Sequence, residues 1–326
     1  MTGSVPKVES TFPALFAIAD RLALTEQQRY FKYTLYGLIA AIVAAVGSAV
    51  DLKFAVGSRN YNGGGIVSCL AFLAGLIFAG FLLYFRPERA WYENRAAAES
   101  IKTLCWQYCV KGGIFGSDDA KDGLLFERMV LSILDRLDHA GLVASGGNET
   151  VTDEMTAFRS LPLERRREIY REQRVLDQNT YYAGKARKNR ALARGWALVA
   201  IFLELIGLVL GVFKAFAVFD ADLLGVFATA AAGAIAWVQT KDCQNLSDSY
   251  QVATNELAVI LHEARSHPAT ITDEQWAAFV AGGERAISRE HTLWLARRDP
   301  RLNPSRTVAG PAPGPVPDPR AGNAPK

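Results

Sequence analysis

Four stretches of this 326-residue chain carry almost no charge and are each close to the length that crosses a lipid bilayer. Residues 33–50 and 66–85 contain no charged residue, residues 196–213 contain one, and residues 217–238 contain two. A hydrocarbon core about 30 Å thick requires about 20 apolar residues in a helix. The alternative, four core helices of a soluble protein, is hard to bury in a fold of this size. The sequence therefore predicts an all-α membrane protein with two transmembrane helical hairpins.

The overall composition conceals this pattern. The mean hydropathy of +0.07 is typical of a soluble protein, because charged segments between the apolar stretches cancel them in the average. A net charge of +3 is too small to indicate a nucleic-acid-binding protein, and we expect no nucleic-acid partner. Four cysteines without regular spacing exclude a disulfide-stabilised scaffold.

Basic residues predict the orientation of the spans. The residues just before the third span are rich in positive charge and contain no acid, whereas the short loops within the two hairpins carry few basic residues. Because basic residues beside a span remain in the cytoplasm, both termini and the long middle segment should be cytoplasmic. The same side chains are expected to contact anionic lipid. They are Lys185, Arg187, Lys188, Arg190 and Arg194.

The chain divides into two units with the same plan, each a transmembrane hairpin with long helices extending into the cytoplasm. The first unit is predicted over residues 1–150, with cytoplasmic helices at 87–110 and 124–143 after its spans. The second is predicted over residues 151–299, with cytoplasmic helices on both sides of its spans. Residues 300–326 are rich in Pro and Gly and lack apolar periodicity, which predicts a disordered tail.

Small residues recur along all four spans at spacings that let helix backbones approach closely. Lipid removes the usual hydrophobic drive for helix association, so such stripes favour tight packing and a homo-oligomer. The candidate packing residues are Gly37, Gly75, Gly207, Gly211, Gly225 and Gly233.

Glu204 is the one charged residue in the middle of a predicted span. An ionised group at that depth costs about 2.5–3.5 kcal/mol on insertion scales, so the side chain should face another helix or water. One interpretation is a protonated glutamate bonded to a neighbouring helix, with Thr229 as its partner. The other is a ring of Glu204 side chains lining a cation pore in an oligomer, with Asp220 and Asp222 at its mouth.

No catalytic, metal-binding or nucleotide-binding signature is present in the sequence. His262 and His267 are five residues apart, which places them on different faces of a helix and not on one metal. The glycine run 63–65 is followed by no Lys and Ser/Thr pair, so it does not form a phosphate-binding loop. We therefore expect neither an enzyme nor a cofactor.

Two helical stretches resemble the SLATT domains, the SMODS- and SLOG-associating two-transmembrane effectors. Residues 91–108 resemble the helix that follows the transmembrane hairpin in these domains, and so do residues 170–196, which continue to the start of the third span. The first half is similar to one SLATT subtype and the second half to another, an arrangement known in this family. The motif residues are Trp91, Arg95, Glu99, Lys102, Arg174, Asp177, Gln178 and Tyr182.

The resemblance implies a role in bacterial conflict systems. Such an effector would reside in the inner membrane, respond to a sensor or nucleotide signal from a partner, and perturb or permeabilise the membrane as an oligomer. Two other functions remain open at this point. One is a membrane-anchored helical scaffold that recruits soluble partners, and the other is a constitutive ion channel or transporter.

Overall fold

A computed structural model describes residues 7–116, 118–135, 150–218, 222–266 and 271–298, and these residues are almost entirely helical. After a short turn of 3₁₀ helix at Val8–Thr11, ten α-helices follow in this part of the chain. They are α1 (Ala14–Ala49), α2 (Gly63–Phe85), α3 (Pro87–Cys109), α4 (Asp119–Asp135), α5 (Asp153–Arg159), α6 (Leu163–Ile169), α7 (Asp177–Ala215), α8 (Leu223–Lys241), α9 (Cys243–Ser266) and α10 (Asp273–Arg298).

Four helices are long and apolar enough to cross a membrane, which confirms the predicted all-α fold. The first two spans lie in the C-terminal part of α1 and in α2, and the other two lie in the C-terminal part of α7 and in α8. α8 begins at Leu223 and not at residue 217, because α7 ends at Ala215 and the chain then turns, with Ala217 at a left-handed φ of 54°. The predicted helix 124–143 is α4, which begins earlier, at Asp119; its predicted end and the tail 300–326 lie outside the described residues.

The tip of the first hairpin contains two short antiparallel strands, a feature absent from the sequence prediction. β1 (Lys53–Val56) pairs with β2 (Arg59–Asn62), and Lys53 is opposite Asn62. Gly57 has a φ of +65°, which a two-residue turn between twisted strands requires. The tip is therefore an ordered ribbon and not a simple loop.

The four spans form a row in the order α2, α1, α8, α7. α1 packs against α2 on one side and α8 on the other, and α7 packs against α8. In the described residues α2 and α7 form no comparable interface, so the row does not close into a bundle. At most 17% of the residues in each apolar window are buried, and both broad surfaces of the row are therefore available to lipid or to another protein.

The remaining helices form one helical body at the end of the row where α1 and α7 extend beyond their apolar parts. We use "helical body" for residues 8–32, α3 to α6, residues 170–195, α9 and α10. Its core draws on both halves of the chain, with Ile101 and Trp106 of α3 beside Leu257 of α9 and Val280 of α10. The two halves thus share a single hydrophobic core outside the apolar row.

Two kinds of backbone connection join the row to the helical body. α2 and α8 each end at a non-glycine residue in the left-handed region, Arg86 (φ 45°) and Asp242 (φ 51°), after which α3 and α9 begin at once. On the other connection, α6 and α7 are joined by a π-helical segment, Tyr170–Leu176, so that the chain is helical from residue 163 to residue 215. π-Helical turns are rare and often occur at functional sites.

Candidate functional site

Glu204 lies beside the seam between α7 and α8, and its side chain is exposed. Ala200 and Gly207, one helical turn on either side of it, are buried toward α8. The Thr229 hydroxyl donates to the Gly225 carbonyl of its own helix (2.8 Å), so the predicted bond between Glu204 and Thr229 is not formed in this arrangement. The carboxylate therefore projects from one broad surface of the row at the middle of a span.

Four of the six candidate packing glycines lie at contacts between spans. A Cβ atom would be 3.4 Å from Phe227 Cβ at Gly207, 3.5 Å from Leu224 at Gly211, 3.7 Å from Ile42 at Gly233 and 3.8 Å from Ala40 at Gly75. No atom of another helix lies within 4 Å of such a Cβ at Gly37, and at Gly225 the nearest atoms belong to Asp222. These two positions do not serve the packing within one described chain.

The predicted mouth of the pore is described only in part. Asp222 directly precedes α8, and its Oδ1 lies 3.0 Å from Nζ of Lys214 at the end of α7. Both side chains are exposed, and Asp220 lies outside the described residues.

Six of the eight SLATT-like motif residues line one cavity of about 470 Å³ in the helical body. The cavity lies where the N-terminal segment, α1 and α3 of the first half meet α7, α9 and α10 of the second half. Of the other two motif residues, Trp91 packs edge-on against Phe31 of α1, with 5.5 Å between ring centroids, and Arg174 is buried nearby. The six lining residues are Arg95, Glu99, Lys102, Asp177, Gln178 and Tyr182.

Ion pairs connect the walls of this cavity. Arg95 bonds Asp20 of α1 through Nη1 (3.0 Å) and Glu99 of its own helix through Nη2 (2.5 Å). Burial lowers the pKa of the Arg95 guanidinium, but the charges of Glu99 and Asp20 outweigh burial, so the pKa is raised. Lys102 Nζ lies 2.7 Å from Oε1 of Glu9 in the N-terminal segment. These pairs hold α3 to the N-terminal part of the chain.

A buried ion pair lies close to the cavity and joins the two halves of the second unit. Arg174 in the π-helical segment is 0% exposed and Glu284 in α10 is 1% exposed. Arg174 donates to both carboxylate oxygens of Glu284, through Nε (3.0 Å) and Nη2 (2.6 Å). The hydroxyls of Tyr170 (3.1 Å) and Thr103 (3.0 Å) also donate to this carboxylate. Burial lowers the pKa of Arg174, but Glu284 outweighs it, and the guanidinium stays charged.

Arg159 and Arg166 bind the carbonyl groups at the end of α3, and the sequence analysis missed both. Arg159 Nη1 donates to the carbonyl of Tyr108 (2.7 Å), and Arg166 Nη1 donates to that of Val110 (2.6 Å). Positive side chains at a helix C-terminus satisfy carbonyls that have no partner within the helix and complement its dipole. No sequence spacing marks these residues, because their partners are about 50 residues away.

The five basic residues predicted to orient the spans lie along α7 before its apolar part. Arg187, Lys188, Arg190 and Arg194 are exposed, and Lys185 is partly buried, with Nζ 5.1 Å from the ring centroid of Tyr181. They form a positive collar where the row meets the helical body.

Each half of this chain matches a known protein family. Residues 13–167 match the family described as SMODS and SLOG-associating 2TM effector domain 3, and residues 170–294 match SMODS and SLOG-associating 2TM effector domain 1. The chain belongs to the SLATT family. It carries two SLATT domains in tandem, as the resemblance predicted, and each match includes one pair of spans. Neither the curated proteins nor the solved structures contain a match to it.

The boundary between the two SLATT domains falls at the start of the π-helical segment. The first match ends at residue 167 in α6 and the second begins at residue 170. The cavity is therefore built jointly by both domains, with Arg95, Glu99 and Lys102 from the first and Asp177, Gln178 and Tyr182 from the second. SLATT domains are two-transmembrane effector domains of conflict systems, and this chain is of that general kind.

Proposed function

We propose that this tandem SLATT protein is a bacterial membrane effector that oligomerises and opens a pore, or otherwise perturbs the membrane, when it is triggered. The observation that carries the proposal is the open row of four spans, with Glu204 exposed at the middle of one of them. A row that is not closed by its own helices cannot enclose a channel, so a pore requires further copies.

The edges of the row are open to contact with other copies. α2 and α7 are the outermost helices, and each presents large apolar side chains, for example Leu76 (70% exposed) and Leu208 (63% exposed). Apolar side chains gain little by leaving lipid for protein, so the exposed surface alone does not drive assembly. A carboxylate in hydrocarbon does supply a drive, because its cost falls when it faces water or a partner.

Glu204 lies where it can serve either a pore or an assembly contact. If several copies arrange the same broad surface of the row around a common axis, their Glu204 carboxylates form a ring at one depth. Rings of carboxylates favour cations over anions in pores. Asp222 directly precedes α8 and would add negative charge at the entrance.

The positive collar on α7 supports an orientation with both termini and the helical body in the cytoplasm of the inner membrane. Lys185 and the exposed side chains of Arg187, Lys188, Arg190 and Arg194 lie at the level where lipid headgroups are expected, and basic residues of this kind stay on the cytoplasmic side. In that orientation the helical body meets the trigger, a sensor protein or a signal made by a partner. We propose neither an enzymatic activity nor a cofactor for the chain.

The experiment is to overproduce the full chain in bacterial cells and follow the membrane potential with a potential-sensitive dye. We expect depolarisation, with an altered response in Glu204→Gln, which keeps the size of the side chain and removes its charge. Glu204→Leu is the control for packing, because it keeps an apolar contact and removes hydrogen bonding.

Two outcomes separate the alternatives. If Gln leaves the response unchanged and only Leu disrupts it, Glu204 acts in helix packing and does not line a pore. If the inserted and folded chain never changes the membrane potential, with or without a co-produced sensor, the protein is a membrane-anchored scaffold.

A further inference from the structure

The cavity between the two SLATT domains has the chemistry of a ligand site. Its volume, about 470 Å³, lies within the range of about 300–1,000 Å³ typical of small-molecule pockets. We propose that it binds a small organic cation, with an amine, guanidinium or quaternary ammonium group, in contact with Asp177 and Gln178. This site goes beyond the proposed membrane activity and does not depend on it.

The residues that line the cavity include one more acid than base. Its lining contains four acids, Glu9, Asp20, Glu99 and Asp177, against three bases, Lys7, Arg95 and Lys102. Two of the bases are already engaged, since Arg95 bonds both Asp20 and Glu99, and Lys102 bonds Glu9. An anionic ligand would have to displace these carboxylates, whereas a cation would complete the balance.

Asp177 is the carboxylate that remains for a ligand. It is exposed to the cavity and forms no ion pair or hydrogen bond with the described residues. It is the first residue after the π-helical segment, a type of backbone irregularity often found at functional sites.

Gln178 supplies an independent indication of a missing partner. Its residue is only 9% exposed, it lines the cavity, and its amide makes no hydrogen bond within the described part of the chain. Its amide atoms do not belong to the fully buried polar atoms without a partner in the described residues, so they are open to the cavity and available to a ligand. Donor groups on a ligand in the cavity could bond the side-chain oxygen of Gln178 and the carboxylate of Asp177, since both residues line it.

Aromatic rings form the wall next to these two residues. Tyr181, Tyr182 and Tyr250 all line the cavity, and the rings of Tyr182 and Tyr250 are stacked with 5.5 Å between centroids. Lys185 Nζ lies 5.1 Å from the Tyr181 centroid, so one cation–π contact is already present at this wall. Tyrosine faces attract ammonium and guanidinium groups, and aromatic cages bind quaternary ammonium ligands. Rings, a free carboxylate and an unbonded amide together favour an organic cation over a metal ion.

The test is isothermal titration calorimetry on the purified full chain in detergent, at constant ionic strength, with agmatine, spermidine and choline as probes and ATP as the anionic comparison. We expect saturable binding of at least one cation at one site per chain, and no competition by ATP. Asp177→Asn should weaken binding about tenfold or more, since a charge-assisted contact is lost. Gln178→Leu should also weaken it, and Glu127→Gln on exposed α4 should leave it unchanged.

Both site variants should fold, because neither side chain bonds another described residue, and a thermal unfolding curve checks this. The proposal is overturned if none of the three cations binds saturably, or if Asp177→Asn binds as tightly as the unmodified chain. It is equally overturned if ATP binds and Lys102→Ala abolishes that binding, which would make the cavity an anion site. Calorimetry has no membrane readout, so its result is independent of whether the chain permeabilises a bilayer.

Discussion

The buried pair Arg174–Glu284 joins the π-helical segment to α10 inside the helical body. Both side chains are almost completely inaccessible, and the carboxylate receives four hydrogen bonds, from Arg174, Tyr170 and Thr103. A buried pair of this kind contributes modest net stability, but removing one partner leaves an uncompensated charge. The pair thus specifies how the π-helical segment, α10 and α3 fit together.

Removing the charge of Glu284 should destabilise the protein strongly. We expect Glu284→Gln to lower the free energy of unfolding by about 3–5 kcal/mol, because Arg174 then loses its buried counterion and keeps only the more distant Glu9, 3.9 Å from Nη1. Chemical unfolding of the full chain in detergent, followed by circular dichroism, measures the change. Glu168→Gln is the matched control, since its ion pair with Arg165 is exposed and should contribute less than about 1 kcal/mol. Equal effects of the two changes would contradict the role of the buried pair.

The thiol of Cys109 should be unreactive in the folded protein. Burial raises its pKa to about 12, so at pH 8 the thiol remains protonated, and the thiolate is the reactive form. We expect N-ethylmaleimide to label Cys109 only after denaturation, as mapped by mass spectrometry. A cysteine introduced by Ser132→Cys on the exposed face of α4 serves as the control and should react at once. Rapid labelling of Cys109 in the native protein would show that the core of the helical body is open.

Several residues of the cavity could be identified from the sequence, but their arrangement in space could not. Arg95 and Gln178 were identified from resemblance to SLATT stretches, and both prove to line the same cavity. Glu284 could not be identified, because it lies outside the motif stretches and its partner Arg174 is 110 residues away. Asp177 was named as a motif residue, whereas its freedom from ion pairs is a property of the fold alone.

At the scale of elements, the four spans could be predicted from the sequence, because a helix that crosses a membrane must have a certain length and almost no charge. The start of α8 at Leu223 was not readable, since an apolar run does not reveal where a helix ends and a turn begins. The strands β1 and β2 were missed for a similar reason: they are only four residues each, and they depend on the two helices that bring their ends together.

The end of α1 and the start of α2 approach each other closely at the tip of the first hairpin. A Cβ at Gly64 would lie 2.0 Å from the Val50 carbonyl oxygen and 2.4 Å from that of Gly47, whereas one at Gly80 would meet no atom within 4 Å. We therefore expect Gly64→Ala to lower the free energy of unfolding by about 1–3 kcal/mol through overpacking. Gly80→Ala, on the same helix, should cause no loss. Thermal unfolding of the two variants in detergent measures the difference, and a tolerated Gly64→Ala would contradict the close contact at this tip.

At the scale of the whole molecule, the protein joins an open row of spans to a closed helical body. The two SLATT domains share one hydrophobic core and one cavity in the body, while in the described residues their hairpins pack together mainly through α1 and α8. This division fits an effector in which the body receives a signal and the row acts on the membrane.

Ion-current recordings measure the proposed oligomeric pore itself. The purified full chain would be inserted into planar lipid bilayers, and its oligomeric state in the bilayer would be established by cross-linking. We expect discrete cation-selective currents from the oligomer. Under a salt gradient, the reversal potential of Glu204→Gln should shift toward the value of a non-selective pore, because the ring of carboxylates is lost. If the inserted oligomer carries no current above that of lipid alone in the presence of its trigger, the protein does not form the proposed pore.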